Sequence, residues 1–271
     1  MTDELGGSAT YFALAASLIC PVAIVAPVGA DAVERVRAVL AGRPIDFGGL
    51  SVVDAPTYRW HARQLKGRNV DLGSRDNIYD HWRPSLPERY SGWVFVGSMR
   101  PDRQLEAAVQ ASEASLLAAD AMRSYLQRAP AEARRLLGLC SWYFCNREEL
   151  VALGGDPTHP ELFRTRWALE GLLLKLGAQG LAAHVQSGEQ RLAALSSHPV
   201  VDTTGAGDAV AGGMLARWIQ RGGNLADIAE ALAWGVACAS IAIEGVGVRA
   251  LAGATPAQLQ ERVAEVQALS R

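Results

Sequence analysis

One stretch of the chain combines small residues with carboxylates: Val200-Val201-Asp202-Thr203-Thr204-Gly205-Ala206-Gly207-Asp208, continuing into Ala209-Val210-Ala211-Gly212-Gly213-Met214. Residues 205, 206 and 207 carry almost no side chain and stand just before an apolar run of helical character. Backbone N–H groups at a helix N-terminus, with no side chains in the way, form a site for phosphate oxygens. The same amides stabilise the charge that develops as a phosphoryl group transfers. Asp208 falls in the first turn, where the helix dipole favours its anionic form. A carboxylate beside such an anion site is placed to take a proton from an attacking alcohol. A bare G-x-G-D is equally the start of an ordinary helix behind a flexible glycine turn. The longer string has to decide between these readings.

Other chemistries lack their residues. There is no Gly-Lys-Ser/Thr, no H-E-x-x-H, no G-x-S-x-G and no G-x-G-x-x-G. The histidines (His61, His81, His159, His184 and His198) stand at no metal-ligand spacing. Cys20, Cys140, Cys145 and Cys238 form no C-x-x-C pair, so they read as four buried thiols of a reducing cytoplasm. A net charge of -2 over 271 residues argues against a nucleic-acid partner, and 49% hydrophobic residues exclude disorder. Nearly all the positive charge is arginine, Lys66 and Lys175 being the only lysines. Gly6 to Ala30 is an uncharged run long enough to span a bilayer. Pro21, Pro27 and the acidic Asp3 and Glu4 speak against membrane insertion, and a buried helix (Ser8 to Leu18) followed by a buried strand (Val22 to Val25) accounts for it.

The elements that must position these groups follow an α/β rhythm. Asp31 to Leu40 is a short amphipathic helix. Gly48 to Val70 alternates about the turn Asp54-Ala55-Pro56 and reads as a small antiparallel ribbon, followed by a loop over 71–90. Strands are expected at Trp93–Val96, Ser115–Ala119, Ser141–Cys145 and Leu172–Leu176, with a hairpin at Val185–Ala194. Helices are expected near Arg103–Ala111, Ala131–Leu136, from Asn146, at Pro160–Glu170, Gly207–Gln220, Leu225–Ile243 and Pro256–Leu269. Alternation of this kind implies a mostly parallel sheet covered on both faces, in a single domain over 1–271 with the 48–70 ribbon inserted.

The full D-T-T-G-A-G-D string before a small apolar helix resembles the signature of the ribokinase-like (phosphofructokinase-B type) carbohydrate kinase family. Other segments resemble that family in order: Gly6-Gly7-Ser8-Ala9-Thr10 its Gly-Gly substrate turn, Val28-Gly29-Ala30-Asp31 its V-G-x-D segment, Asn146-Arg147-Glu148-Glu149 its N-x-x-E motif, and Lys175-Leu176-Gly177-Ala178-Gln179-Gly180 its L-G-x-x-G nucleotide loop. The resemblance implies an α/β three-layer ribokinase-like sandwich with a mostly parallel central sheet and a small antiparallel β lid. It implies an ATP-dependent phosphotransferase acting on a primary hydroxyl of a sugar or sugar-like substrate. Asp208 would be the base, with the amides of Gly205, Ala206 and Gly207 as the anion hole. Asn146, Lys175, Gly177, Gly180, Thr203 and Gly207 would border ATP. Asn146 and Glu149 would hold Mg²⁺ through water, and a monovalent cation is a further possible cofactor. For Asn146 and Glu149 the plain alternative is a helix N-cap with an acidic first turn, and for Lys175 an ordinary strand-end lysine.

On the substrate side the resemblance implies Gly6, Gly7, Thr10, Tyr11, Arg59 and Asp208. Arg59, Trp60 and Arg63 lie on the lid ribbon, where they either contact substrate or stay solvated. The sequence departs from the family here. The usual first strand with its sugar-binding aspartate is expected to be missing before residue 1, and Tyr11 stands where an asparagine is common. Ser98-Met99-Arg100 stands where some relatives place an acidic sugar contact. Tyr58, Trp60, Tyr79, Trp82 and Trp93 either stack on a nucleobase, which would make a nucleoside kinase, or pack on one another. A catalytically impaired binding homologue and a homodimer paired through the ribbon complete the expectations.

Overall fold

The computed structural model describes residues 3–65 and 68–269. Its contacts group into two compact units, Met1–Trp82 with Leu192–Arg271, and Arg83–Arg191.

In the first unit α1 (Ser8–Ala16) is buried on nearly every side, as its lack of charge requires. β1 (Val22–Gly29) pairs in parallel with β2 (Ile45–Val53), from Val22 opposite Ile45 to Gly29 opposite Val53. Between them α2 (Val33–Leu40) buries Val33, Val36 and Leu40, one apolar stripe at helical spacing. The uncharged 25-residue run is thus a buried helix and a strand that is only partly buried, at Ile24, Val28 and Gly29, which corrects the fully buried strand expected over Val22 to Val25. β3 (Arg59–Leu65) and β4 (Arg68–Arg75) form a two-stranded antiparallel sheet.

This corrects the ribbon expected at 48–70. Leu50, Val52 and Val53 alternate because they belong to β2, and Asp54-Ala55-Pro56 joins β2 to β3. The ribbon extends to Arg75 instead, taking in part of the segment read as loop. Its second strand was hard to see because Val70 and Leu72 are 41% and 60% exposed, so no buried face marks the alternation. A 3₁₀ turn at Asn77–Asp80 then buries Ile78 and Tyr79.

The second unit is built on β5 (Trp93–Val96), α3 (Pro101–Gln110), β6 (Leu116–Asp120), α4 (Arg123–Arg128), α5 (Pro130–Leu137), β7 (Trp142–Asn146), α6 (Arg147–Ala152), α7 (Pro160–Arg166), β8 (Gly171–Lys175), β9 (Leu181–Val185) and β10 (Gly188–Leu192). The sheet order is β10-β9-β8-β7-β6-β5, with β5 to β8 parallel and β9 antiparallel to β8. Leu117, Ala119, Tyr143, Cys145, Leu172 and Leu174 join helix residues such as Leu136, Leu150 and Phe163 in one core. The edge hairpin turns at 186–187, a few residues before the expected place. Helix α4 escaped the sequence reading, since Arg123-Ser124-Tyr125-Leu126-Gln127-Arg128 is too short to show a period.

The chain returns to the first unit with α8 (Ala206–Gln220), α9 (Ile228–Ala242), α10 (Arg249–Gly253) and α11 (Pro256–Ala268). Leu225–Ala242 has a mean hydropathy of 1.5, and most of it is buried against neighbouring helices. All four cysteines are free, and Cys140, Cys145 and Cys238 are buried. Cys20 is only partly covered, which corrects the expectation of four buried thiols.

Candidate functional site

In the first unit the D-T-T-G-A-G-D string forms a tight turn tied at several points. Val201 and Asp202 donate their amides to Ile243 O at 2.7 and 3.2 Å. The Asp202 carboxylate accepts from the Thr204 amide at 3.0 Å and from its hydroxyl at 2.7 Å. Ala206 N donates to Thr203 O at 3.3 Å. Gly205 caps α8 in the left-handed region, with φ of 75°. A Cβ there would also lie 2.3 Å from the Tyr11 ring, so both backbone and packing require glycine. The first amides of α8 precede its i to i−4 ladder, that of Ala206 being turned to Thr203 O, and amides in this position are the ones an anion takes up.

Helix α1 runs alongside α8 in the same direction. Ser8 Oγ donates to Asp208 Oδ1 at one end. A Cβ on Gly212 would meet Phe12 O at 2.5 Å and Ala15 Cβ at 3.0 Å in the middle. The Gln220 amide donates to Ile19 O at the far end, at 2.6 Å. The pairs ascend together, 8 with 208, 12 with 212, 19 with 220, so the N-termini of α1 and α8 lie side by side. Two positive helix ends therefore converge where Asp208 stands. Gly213 makes the corresponding close approach to α9, where a Cβ would fall 2.7 Å from Trp234 O.

Gly7 caps α1 with φ of 93°, and its carbonyl accepts from Thr10 N and Tyr11 N at 3.1 Å each. Thr10 and Tyr11 are buried, Tyr11 to 1% exposure, and a Cβ on Gly6 would lie 3.6 Å from the Tyr11 ring. The Tyr11 hydroxyl has no hydrogen-bond partner among the described residues. Burial pushes its phenol well above the usual range, and the charges of Asp202, Asp208 and Glu4 push it further. Six of the expected residues (Gly6, Gly7, Thr10, Tyr11, Gly205 and Asp208) thus gather around one pair of helix ends.

Arg59 lies in a separate knot of the same unit. Thr57 donates its amide to Asp31 Oδ1 at 2.9 Å and its hydroxyl at 2.6 Å. Gly29 N donates to Thr57 Oγ1 at 2.9 Å. Arg59 donates to Asp31 Oδ2 at 3.1 Å and to Asp3, which also accepts from Arg35. The Thr57 bonds hold the Asp31 carboxyl below its ordinary range, and the Arg35 bond does the same for Asp3. Arg59 therefore serves as an ion-pair partner of two carboxylates on the ribbon's first strand. Tyr58 packs on Tyr79 with ring centroids 6.2 Å apart, and Tyr79 on Trp82 at 6.1 Å, so these three aromatics pack on one another.

In the second unit the expected residues meet at the C-terminal ends of β6, β7 and β8. Asn146 caps α6 in a reciprocal capping box, Asn146 Oδ1 accepting from Glu149 N and Glu149 Oε2 from Asn146 N, both at 2.8 Å. Both readings of the N-x-x-E segment are thus compatible, since the cap itself fixes Glu149 in place. Lys175 Nζ donates to both Asp120 oxygens at 2.9 and 2.7 Å and lies 3.8 Å from Glu149 Oε2. Asp120 is 4% exposed and Glu149 7%. Gly177 and Gly180, with φ of 60° and 89°, frame a 3₁₀ turn closed by Leu176 N on Gly180 O at 2.8 Å. Asp120 was missed from sequence; its only mark there is a charge ending an otherwise apolar strand. Among the described residues no group of three or more His, Cys, Asp or Glu is arranged for a metal. The donor chemistry at Asp120, Glu149 and Lys175 is two carboxylates against one ammonium, which suits a hydrated divalent cation held through water.

The chain resembles known proteins over most of its length. A family model described as pfkB family carbohydrate kinase matches residues 1–253. The chain is 29% identical over 277 residues, 95% of this chain and 87% of the relative, to a protein of Halopiger xanaduensis named ATP-dependent ribose-1-phosphate kinase. Among solved structures it is similar to a Burkholderia thailandensis nucleoside kinase in complex with inosine, with a TM-score of 0.77 and 18% identity over 96% of this chain and 87% of that one. A fructokinase from Vibrio cholerae O395 gives a TM-score of 0.76 at 22% identity, covering 97% and 92%. An aminoimidazole riboside kinase from Salmonella enterica gives 0.73 at 24%, covering 95% and 91%. The mixed α/β architecture, with its mostly parallel sheet and small antiparallel one, is that of these kinases, and the chain belongs to the pfkB family of carbohydrate kinases.

Proposed function

We propose that this kinase transfers the γ-phosphate of ATP to a primary hydroxyl of a ribose-type sugar or sugar phosphate, with Asp208 as the base. The observation that carries the reading is the convergence of the α1 and α8 N-termini on Asp208, behind a turn where only glycine fits. Asp208 takes the hydroxyl proton while that oxygen bonds the γ-phosphorus and the bond to the bridging oxygen of ADP breaks. The amides of Gly205 and Gly207, and that of Ala206 once it leaves Thr203 O, hold the phosphoryl oxygens as their charge spreads. Thr203 and the Gly177–Gly180 turn border the nucleotide, and Lys175 keeps the neighbouring carboxylates in place. Asn146 and Glu149 bind water of a Mg²⁺ ion, whose chemistry when bound is to neutralise phosphate charge. Gly6, Gly7, Thr10 and Tyr11 face the acceptor. The β3–β4 ribbon excludes water from it, with Arg59 acting through Asp31 and Asp3.

The ribose-type acceptor is supported by the Halopiger relative, whose name gives ribose 1-phosphate as its substrate. The mutual packing of Tyr58, Tyr79 and Trp82 weakens the case for a nucleobase platform. The reading places a free-thiol protein in a reducing cytoplasm, without nucleic-acid or membrane partners, and pairs two copies through the exposed Val70 and Leu72 of the ribbon.

The test is a panel of pentoses, pentose 1-phosphates, hexoses and nucleosides, with ATP, Mg²⁺ and either K⁺ or Na⁺, followed by ADP release and product mass. Turnover is expected to be highest with a ribose-type acceptor. Preference for nucleosides would overturn the substrate class, and no turnover with any alcohol would overturn the enzyme reading in favour of a binding homologue.

A further inference from the structure

Asp208 is held by more than its own helix. A carboxylate on a short side chain turns readily about its last torsion, because sp³–sp² rotations are broad and roughly two-fold. A base that takes a proton in flight must hold one oxygen within hydrogen-bond reach and in line with the acceptor. Something has to break the equivalence of its two oxygens.

Ser8 is placed to do so. Its hydroxyl donates to Asp208 Oδ1, a contact across 200 residues of sequence. The serine is not needed as a helix cap, since Gly7 occupies that position and makes no side-chain cap bond. Nor can α1 slide along α8. The Gly212 surface meets Phe12 O and the Ala15 methyl too closely for any larger residue, and the Gln220 to Ile19 bond fixes the far end. Ser8 therefore arrives at Asp208 in a fixed register.

We infer that Ser8 is a positioning residue, whose hydroxyl clamps one oxygen of Asp208 so that the carboxylate is aimed at the acceptor. The inference rests on the reading of Asp208 as base. It adds to that reading a requirement for a hydroxyl at position 8.

The experiment measures kcat and the acceptor KM for Ser8→Ala, Ser8→Thr, Asp208→Asn and the double variant Ser8→Ala/Asp208→Asn, with circular dichroism and thermal melting to compare folding. Ser8→Ala is expected to lower kcat about tenfold with KM changed by less than about twofold, in keeping with the sensitivity of rate to small misplacement. Ser8→Thr keeps the donor and is expected to restore most of kcat. In the Asp208→Asn background the Ser8→Ala change is expected to cost nothing further, because the group it positions has gone. Should Ser8→Ala unfold the chain, Ser8→Cys, close in size and a weak donor, is expected to fall between wild type and Asp208→Asn. Unchanged kcat in a folded Ser8→Ala or Ser8→Cys protein would overturn the inference, as would an equal loss in both backgrounds. A rise in kcat would also overturn it, showing that Ser8 competes with the acceptor. If instead Asp208→Asn keeps full activity, the base assignment itself fails, which separates the two conclusions.

Discussion

Asp208 in one unit and Lys175 in the other hold charge by opposite means. Around Asp208 the charge is met by backbone: two parallel helix N-termini, a glycine in the left-handed region, and one serine hydroxyl. Around Lys175 it is met by side chains, an ammonium at the end of β8 shared between Asp120 at the end of β6 and Glu149 in the first turn of α6. A backbone site needs shape, because the amides are always present and only a Cβ in the wrong place can spoil them. A side-chain site needs balance, because each buried charge is tolerable only while its partner remains. The two regions should therefore fail differently when altered.

The largest effect is expected on the side-chain half. Lys175→Met leaves two nearly buried carboxylates uncompensated and is expected to destabilise the protein by about 3–5 kcal/mol in denaturant unfolding. Adding Asp120→Asn is expected to recover a good part of that loss, since it removes the surplus charge. If the double variant is no better than the single, balance is not what holds this half. On the backbone half, Gly205→Ala is expected to cost about 2–4 kcal/mol, from the left-handed φ and the collision with Tyr11. A Tyr11→Ala change made with it is expected to relieve the collision and leave the φ cost. Full additivity of the two would break the shape argument. The smallest effect is expected at Tyr11→Phe. The hydroxyl has no protein partner among the described residues, so stability is expected to stay within about 1 kcal/mol of wild type or to rise. The acceptor KM is expected to increase about three- to tenfold, the value of one hydrogen bond to substrate. An unchanged KM would remove Tyr11 from the acceptor site.

The same contrast governs what could be read from the sequence. The backbone half was legible because its requirements are local. Three small residues, an aspartate and an apolar helix occupy one string, and the matching turn at Gly6-Gly7 is equally short. The capping box of Asn146 and Glu149 was legible for the same reason, being four residues long. Asp120 was not, since its meaning comes from Lys175, a partner 55 residues away that only the parallel register of the strands brings near. Ser8 stood inside a quoted motif, but its partner lies 200 residues on. The ribbon was misplaced because alternation alone does not say which strand a residue pairs with. Leu50 and Val52 alternate in a parallel strand, while the true second strand of the ribbon turns its apolar side to solvent. Strands buried on both faces, such as β6 to β8, were found within a residue or two because their apolar runs are bounded by glycine, proline or charge.

The central claim is that Asp208 takes the proton of the acceptor hydroxyl. Its most direct test is the turnover of Asp208→Asn at saturating ATP, Mg²⁺ and the best acceptor of the panel. The side chain keeps its shape there and loses its charge and with it the ability to accept the proton. A fall in kcat of about 10²–10⁴ with the fold intact is the predicted result. A loss of less than about tenfold would contradict it.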